Sequence, residues 1–207
     1  MKLTDKTVTD LLAAFQSSDP TPGGGSAAAL AAAVGASLLA MVAGIPKSRA
    51  ATEEDVERLA AAGTQCRELA AHLAELIDRD SESYELVMGA YRRPKATDEE
   101  KAARSAAIQE AMRAAIAAPL DVMRSCTSAI EQGVVIAGLG NTNAASDVQV
   151  ALELLTAGLR GAKQNVEINL GSVKDVVYVE RVRREEAEFE RGATHEAQAA
   201  RAALATP

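Results

Sequence analysis

Apolar and polar positions along the chain alternate at helical spacing, in stretches separated by breaks rich in proline and glycine. Residues 3–17 carry Val8, Leu11, Leu12 and Phe15 on one face, which predicts a first amphipathic helix. Residues 20–26, Pro-Thr-Pro-Gly-Gly-Gly-Ser, stop it, and the run from Ala27 to Ile45 that follows carries no charge. That run is mostly alanine, with Leu30, Val34, Leu38, Leu39, Met41 and Val42. Apolar all round, it predicts a buried helix whose neighbours approach its backbone closely, with Ser26 as its N-cap. The glycines before it suit positive φ or the close approach of another backbone or a ligand.

A break at Pro46-Lys47-Ser48-Arg49 precedes a second capping signal, Thr52 with Asp55, and a helix predicted to reach about Arg92. Its apolar side holds Val56, Leu59, Leu69, Leu73, Leu76 and Ile77. Pro94 and the capping box Thr97/Glu100 open the next helix, expected to run towards Gln132 and to kink or split at Pro119. Residues 134–139, bracketed by Gly133, Gly138 and Gly140, read as a short helix or turn. The polar loop 140–147 leads into a helix to Leu170, and residues 175–203, rich in Glu and Arg, form a solvated outer or dimer-flanking helix. The expected fold is all-α, a single domain over residues 1–207, built as a multi-helix bundle around a buried Ala-rich central helix and packing as a homodimer.

Composition changes this picture little. A length of 207 residues suits one domain with a sizeable core, and an aromatic content of 2% leaves that core to Ala, Leu, Val and Ile. A net charge of −7 speaks against nucleic acid or an anionic membrane surface as partner. The alanine run is long enough to span a bilayer, but Gly35 and Gly44 interrupt it and no cluster of Lys or Arg flanks it, so no membrane span is expected. Cys66 and Cys126 sit in no disulfide pattern, and the N-terminus lacks a basic region before an apolar one; a reduced, cytoplasmic protein is expected.

Candidate chemistry is sparse. His72 and His195 have no metal-ligand partner at useful spacing, and no Ser or Cys stands beside a His, so no metal is expected. The glycine-rich turn could hold an anion on free helix amides, but it lacks the lysine of a P-loop. Asp80, Tyr84, Met88 and Tyr91 share one helical stripe. They suit either a flat cationic ring or an exposed, salt-bridged acid beside two core aromatics. Asn165 and Asn169 share another face, towards which Asp147 also projects about 27 Å away. They serve a ligand or bond a neighbouring helix end.

The chain resembles the cyclodeaminase/cyclohydrolase family, which includes the C-terminal domain of formiminotransferase-cyclodeaminase and stand-alone methenyltetrahydrofolate cyclohydrolases. The stretches that carry the resemblance are residues 20–26, 80–84, 87–91, 94–101, 140–143, 146–148 and 165–169, in that order across nearly the whole chain. Where the family often has a Thr-x-Gly-Lys-Lys-like basic segment, this chain reads Ile45-Pro46-Lys47-Ser48-Arg49. The resemblance implies an all-helical homodimer that handles folate-bound one-carbon units without metal, nucleotide or other cofactor, the tetrahydrofolate derivative being substrate. It implies Asp80 as the catalytic acid/base. Gly23, Gly24, Gly25, Ser26, Tyr84, Lys95, Asn141, Asn143, Asp147, Asn165 and Asn169 are expected around the substrate. Hydrolysis of 5,10-methenyltetrahydrofolate to 10-formyltetrahydrofolate is the first expectation, and release of ammonia from 5-formiminotetrahydrofolate the second. A helical dimer that binds folate or another anion without turnover is the alternative of another class.

Overall fold

The computed structural model describes residues 2–46 and 52–205. These hold six α-helices and no strand: α1 Val8–Phe15, α2 Gly24–Ala43, α3 Glu53–Tyr91, α4 Asp98–Leu139, α5 Ala145–Leu170 and α6 Val176–Leu204. Short 3-10 turns, Leu3–Asp5 and Thr142–Ala144, precede α1 and α5. The basic positions Lys47 and Arg49 lie outside the described residues.

Helix α2 is the axis of the bundle, antiparallel to both α3 and α5. Gly25 lies against Asp80 of α3, and Ala43 against Gly63. On the other side Gly24 lies near Asn165, while Gly35 meets the Ala151 carbonyl and Leu155. Small residues make this closeness possible. A Cβ at Gly158 would stand 2.8 Å from that of Ala32 and 2.9 Å from the Ala28 carbonyl, too near for either backbone to stay in place. A larger residue there would overpack the seam, at a typical cost of about 1–3 kcal/mol. Helix α4 packs against α3 and α5, and α6 packs against α4 and α5. The core between these layers is aliphatic, with Leu39, Leu73, Ile116, Met123, Ile130, Leu152 and Leu155 fully buried.

Cap chemistry sets several boundaries where the pattern puts them. Thr52 accepts from the Asp55 amide, and Thr97 and Glu100 complete a reciprocal capping box. Asp175 caps α6 by accepting from the Tyr178 amide.

Four expectations are corrected. Ser26 is not the N-cap of α2: Gly23 is, in extended conformation, and Ser26 lies a turn inside the helix. No glycine has positive φ, so the triple glycine serves close approach. The first helix is shorter than its pattern, capped by Thr7, and buries only Leu11. Helix α4 runs unbroken through Pro119 and includes residues 134–139. Proline removes the amide that would bond the carbonyl four residues back, which is Ala115. Asn169 of α5 donates to that carbonyl at 3.0 Å, so the helix loses an internal bond without leaving an orphan. The sequence pattern could not reveal a repair that comes from another helix.

One face of α2 stays uncovered. Ala27, Val34, Ser37 and Met41 are exposed, with Leu30, Ala31 and Leu38 half-buried between them. By length and hydropathy α2 could cross a bilayer, yet 56% of its apolar window is buried in the bundle.

Candidate functional site

The N-terminal end of α2 opens on a cleft of about 380 Å³ bounded by α3, α4 and α5. Its wall is made by Pro20, Thr21 and the three glycines of the turn, then Asp80, Ser83, Tyr84 and Val87 of α3. Met112 and Ala115 of α4 and Asn165 and Asn169 of α5 close it. As the first residues of the helix, Gly24 and Gly25 present amides with no intrahelical acceptor, and the positive end of the α2 dipole faces the same space.

Asp80 is half-buried at the centre. Its Oδ2 accepts from the Ser26 amide at 2.8 Å and from the Ser26 hydroxyl at 3.0 Å. Gly25 makes room for it, because a Cβ there would overlap the carboxylate and lie within 2.5 Å of Cγ. Burial raises the Asp80 carboxyl above its ordinary value, while the two Ser26 bonds pull it back down.

Ser26 is fully buried, and its hydroxyl has a choice of partners. Oγ lies 2.9 Å from the Ile77 carbonyl, 3.0 Å from Asp80 Oδ2 and 3.3 Å from Ser81 Oγ. It has one proton to give. With Asp80 ionised, the hydroxyl donates to the carboxylate; with Asp80 protonated, it can turn to the Ile77 carbonyl and accept from the carboxyl through a lone pair. The contact persists in both forms. Ser26 therefore positions the acid rather than touching a ligand.

The amides of the two asparagines are anchored on one side. Asn165 donates Nδ2 to the Gly161 carbonyl at 2.8 Å, and Asn169 to Ala115. The carbonyl oxygen of each amide is without a partner among the described residues. Asn169 bonds a carbonyl within the neighbouring helix α4, whereas Asn165 bonds its own helix, and both side chains line the cleft.

The predicted residues fall into two groups. Gly23, Gly24, Gly25, Tyr84, Asn165 and Asn169 surround Asp80, with Ser26 beneath it. Lys95 lies in the turn between α3 and α4, while Asn141, Asn143 and Asp147 gather at the far end of α2. There Asn141 donates Nδ2 to the Pro46 carbonyl at 2.7 Å and caps the 3-10 turn. Twenty helical residues separate the two ends, about 30 Å.

The four-residue stripe on α3 divides as well. Asp80 and Tyr84 line the cleft, but the exposed Tyr91 ring lies under Arg104, 5.4 Å from its guanidinium, and Arg104 also donates to the Tyr91 carbonyl. Nor is Asp80 a salt-bridged surface acid. Asp78, two residues earlier, is structural: it is 9% exposed and accepts from the Leu3 amide at 2.5 Å and the Thr4 hydroxyl at 2.8 Å. Among the described residues no group of three or more His, Cys, Asp or Glu converges as metal ligands would. Cys66 and Cys126 are free and buried, and burial pushes the Cys66 thiol up to about 12 and the Cys126 thiol up as well.

Residues 7–188 match the family model of formiminotransferase-cyclodeaminase. The chain is 40% identical over 179 residues to methenyltetrahydrofolate cyclohydrolase of Methylorubrum extorquens, covering 85% of each. It is 35% identical to the formimidoyltransferase-cyclodeaminase of Rattus norvegicus, covering 78% of this chain and 30% of that longer protein. The crystal structure of formiminotetrahydrofolate cyclodeaminase from Thermotoga maritima superposes with a TM-score of 0.81 at 27% identity, over 96% of both chains.

Proposed function

The chain belongs to the formiminotransferase-cyclodeaminase family, and from that premise we propose that it is a methenyltetrahydrofolate cyclohydrolase in which Asp80 moves the proton. The observation that carries the mechanism is one carboxyl at the mouth of a helix N-terminus, with a hydroxyl partner suited to both of its protonation states.

The reaction needs little else. The methenyl carbon is already an electrophilic amidinium, so water needs only a base. The Asp80 carboxylate takes a proton as the oxygen bonds to carbon, giving a neutral hydroxyl adduct between N5 and N10. Asp80 then returns that proton to N5 as the C–N5 bond breaks, while the adduct hydroxyl releases its own proton to solvent and becomes the formyl carbonyl. One carboxyl acts first as base and then as acid. The asparagine carbonyls and free helix amides offer acceptors and donors to the pterin edge. No cofactor or metal enters this scheme. The protein works in the cytoplasm as a homodimer; the two free buried cysteines and the uncovered face of α2 support those two readings.

The likeness to the Thermotoga maritima enzyme favours a second reading, formiminotetrahydrofolate cyclodeaminase. There Asp80 would take the proton from N10 as it attacks the formimino carbon and give one to the departing ammonia. Purified protein incubated separately with each folate decides between them, the methenyl absorbance and ammonia being followed independently. Accelerated loss of the methenyl chromophore without ammonia is expected. Ammonia from the formimino substrate with no acceleration of methenyl hydrolysis favours the second reading. Thermal stabilisation by folate with neither product leaves a binding protein.

A further inference from the structure

The cleft stops at Val87 and Met112, yet the two helix faces that line it there continue. On α3, Asp80, Tyr84, Val87 and Tyr91 fall at i, i+4, i+7 and i+11, one stripe of a helix. On α4, Ala115, Met112, Ile108 and Arg104 form the matching stripe, read in the opposite direction because a short turn joins the two helices. The stripes still face each other at their far end, where the Arg104 guanidinium lies 5.4 Å from the centre of the Tyr91 ring. Between the ends, Val87 and Met112 belong to one small apolar cluster, against which the half-buried Ile108 and Val173 pack. An apolar track therefore leads from the level of Asp80 to that of Arg104, over eleven helical residues or about 16 Å.

A second cation stands at the same end. Gln109 ties the chain leaving α5 to α4, donating to the Ser172 carbonyl at 3.0 Å and accepting from the Lys174 amide at 2.8 Å. The Lys174 ammonium then lies 3.2 Å from the hydroxyl of Ser105, the residue next to Arg104. Neither cation enters an ion pair among the described residues. Arg104 uses only Nε, on the Tyr91 carbonyl at 3.0 Å, which leaves both Nη groups for a carboxylate. Three acids at this end are already engaged: Asp98 with Lys101, Glu100 with the Ala96 amide, and Asp175 with Arg113.

We propose that Arg104 and Lys174 bind the glutamate tail of the substrate, so that its pterin lies at the α2 end of the cleft and its carboxylates lie towards the α3–α4 turn. This rests on the reading of the cleft as a folate site. From the reacting carbon of a folate, a benzoyl ring and an amide lead to the first α-carboxylate, about 11 Å away when extended, with the γ-carboxylate at about 14 Å. The track has the same order and scale: the proton-transfer group, then apolar side chains for the ring, then two cations. The amides at the start of α2 also attract anions, but a carboxylate held there would stand beside Asp80, whose charge repels it.

Binding measured without turnover tests the assignment. Tetrahydrofolate and tetrahydropteroate differ only in the glutamate. By calorimetry in anaerobic buffer, wild type is expected to bind tetrahydrofolate about tenfold more tightly or better, the worth of a charge-assisted bond. That gap should narrow as salt rises. In Arg104→Gln/Lys174→Gln the two ligands are expected to bind alike, at the wild-type affinity for tetrahydropteroate. In turnover, Lys174→Gln and Arg104→Gln should each raise KM with kcat nearly unchanged, because the tail is held equally in the ground and transition states. Lys174→Gln alters a loop side chain alone and keeps the test decisive if the double variant does not fold. A double variant that still prefers tetrahydrofolate overturns the proposal, because the carboxylates are then held elsewhere. Equal loss of both ligands together with a lower melting temperature also overturns it, leaving the two cations a structural part only. A wild type that binds both ligands alike sinks the tail site and leaves the folate reading in place. A wild type that binds neither ligand sinks the folate reading and the tail site with it.

Discussion

Asp80 on α3 and Glu186 on α6 are both carboxylic acids withdrawn from water and raised above their ordinary values, yet their surroundings differ in kind. Asp80 opens on a cleft, takes two bonds from Ser26 and faces the positive end of α2. Glu186 is 2% exposed, one of its oxygens has no partner, and burial and then the charge of Glu167 push it up to about 7. The cations nearest to it are committed elsewhere, Lys163 to Glu190 at 2.6 Å and Arg183 to Glu167 at 3.3 Å. Between these two acids, the larger perturbation belongs to the one with no room for a substrate. A raised pKa marks a group whose charge is poorly served; a catalytic acid also needs access and a partner that tolerates both of its forms.

The sharpest way to break this contrast is to neutralise each acid. Asp80→Asn keeps shape and cannot cycle a proton, so turnover should fall by about 10²–10⁴-fold with the melting temperature little changed. Glu186→Gln should leave turnover at the wild-type level. Reversal of these two results would move the site to the seam between α5 and α6.

Gly25→Ala sharpens the same contrast from the other helix. Alanine suits an α-helix better than glycine, so α2 should keep its stability, but the added methyl falls on the Asp80 carboxylate. A displacement of about 1 Å is enough to lower kcat by about 10²-fold. An active Gly25→Ala enzyme would mean that the carboxylate need not lie against the helix. A smaller effect is expected at Ser26. Ser26→Ala removes a hydroxyl bond that favours the ionised acid, so Asp80 should titrate at higher pH. Since the first step needs the carboxylate, the rising limb of the pH–rate profile should move upward. The loss should then be greatest at low pH, about tenfold, and recede as pH rises. A uniform loss across pH would give Ser26 a packing role only.

Much of the fold is legible in the chain because its helices are punctuated locally. Thr52 and Thr97 cap where the pattern says they should, each by accepting from an amide within the next turn. What escapes the sequence depends on contacts between helices. Proline at 119 reads as a break because the donor that repairs it, Asn169, is 50 residues away on another element. Nothing local in the sequence says that Asp78 receives the N-terminal turn and Asp80 the start of α2. The site is half legible for the same reason. The triple glycine announces close approach, and the long antiparallel helices bring Asp80 and Asn165 to it. They also carry Asn141, Asn143 and Asp147 to the opposite end, a separation that spacing along one helix gives only as a length.

The smallest effect on catalysis is expected at Glu186, where stability alone should respond. The folded state raises this carboxyl to about 7 from an ordinary value near 4.5, so the folded protein holds the proton more tightly than the unfolded chain does. Below the ordinary value both states are protonated and the group costs nothing. As pH climbs past it the unfolded chain ionises first, and folding must either keep the proton or bury a charge beside Glu167. Stability therefore falls with rising pH, and the loss is complete once the folded group has also ionised, above about 7. Its ceiling is about 3 kcal/mol. Glu186→Gln removes that slope, because a neutral amide fills the same space at every pH. Thermal melts at pH 5 and pH 8 should show wild type losing stability between them relative to the variant, with equal turnover per folded enzyme at both. If the two proteins melt in parallel across that range, Glu186 is already served by a partner or water that keeps it at its ordinary value, and the contrast with Asp80 fails on the side of the structural acid.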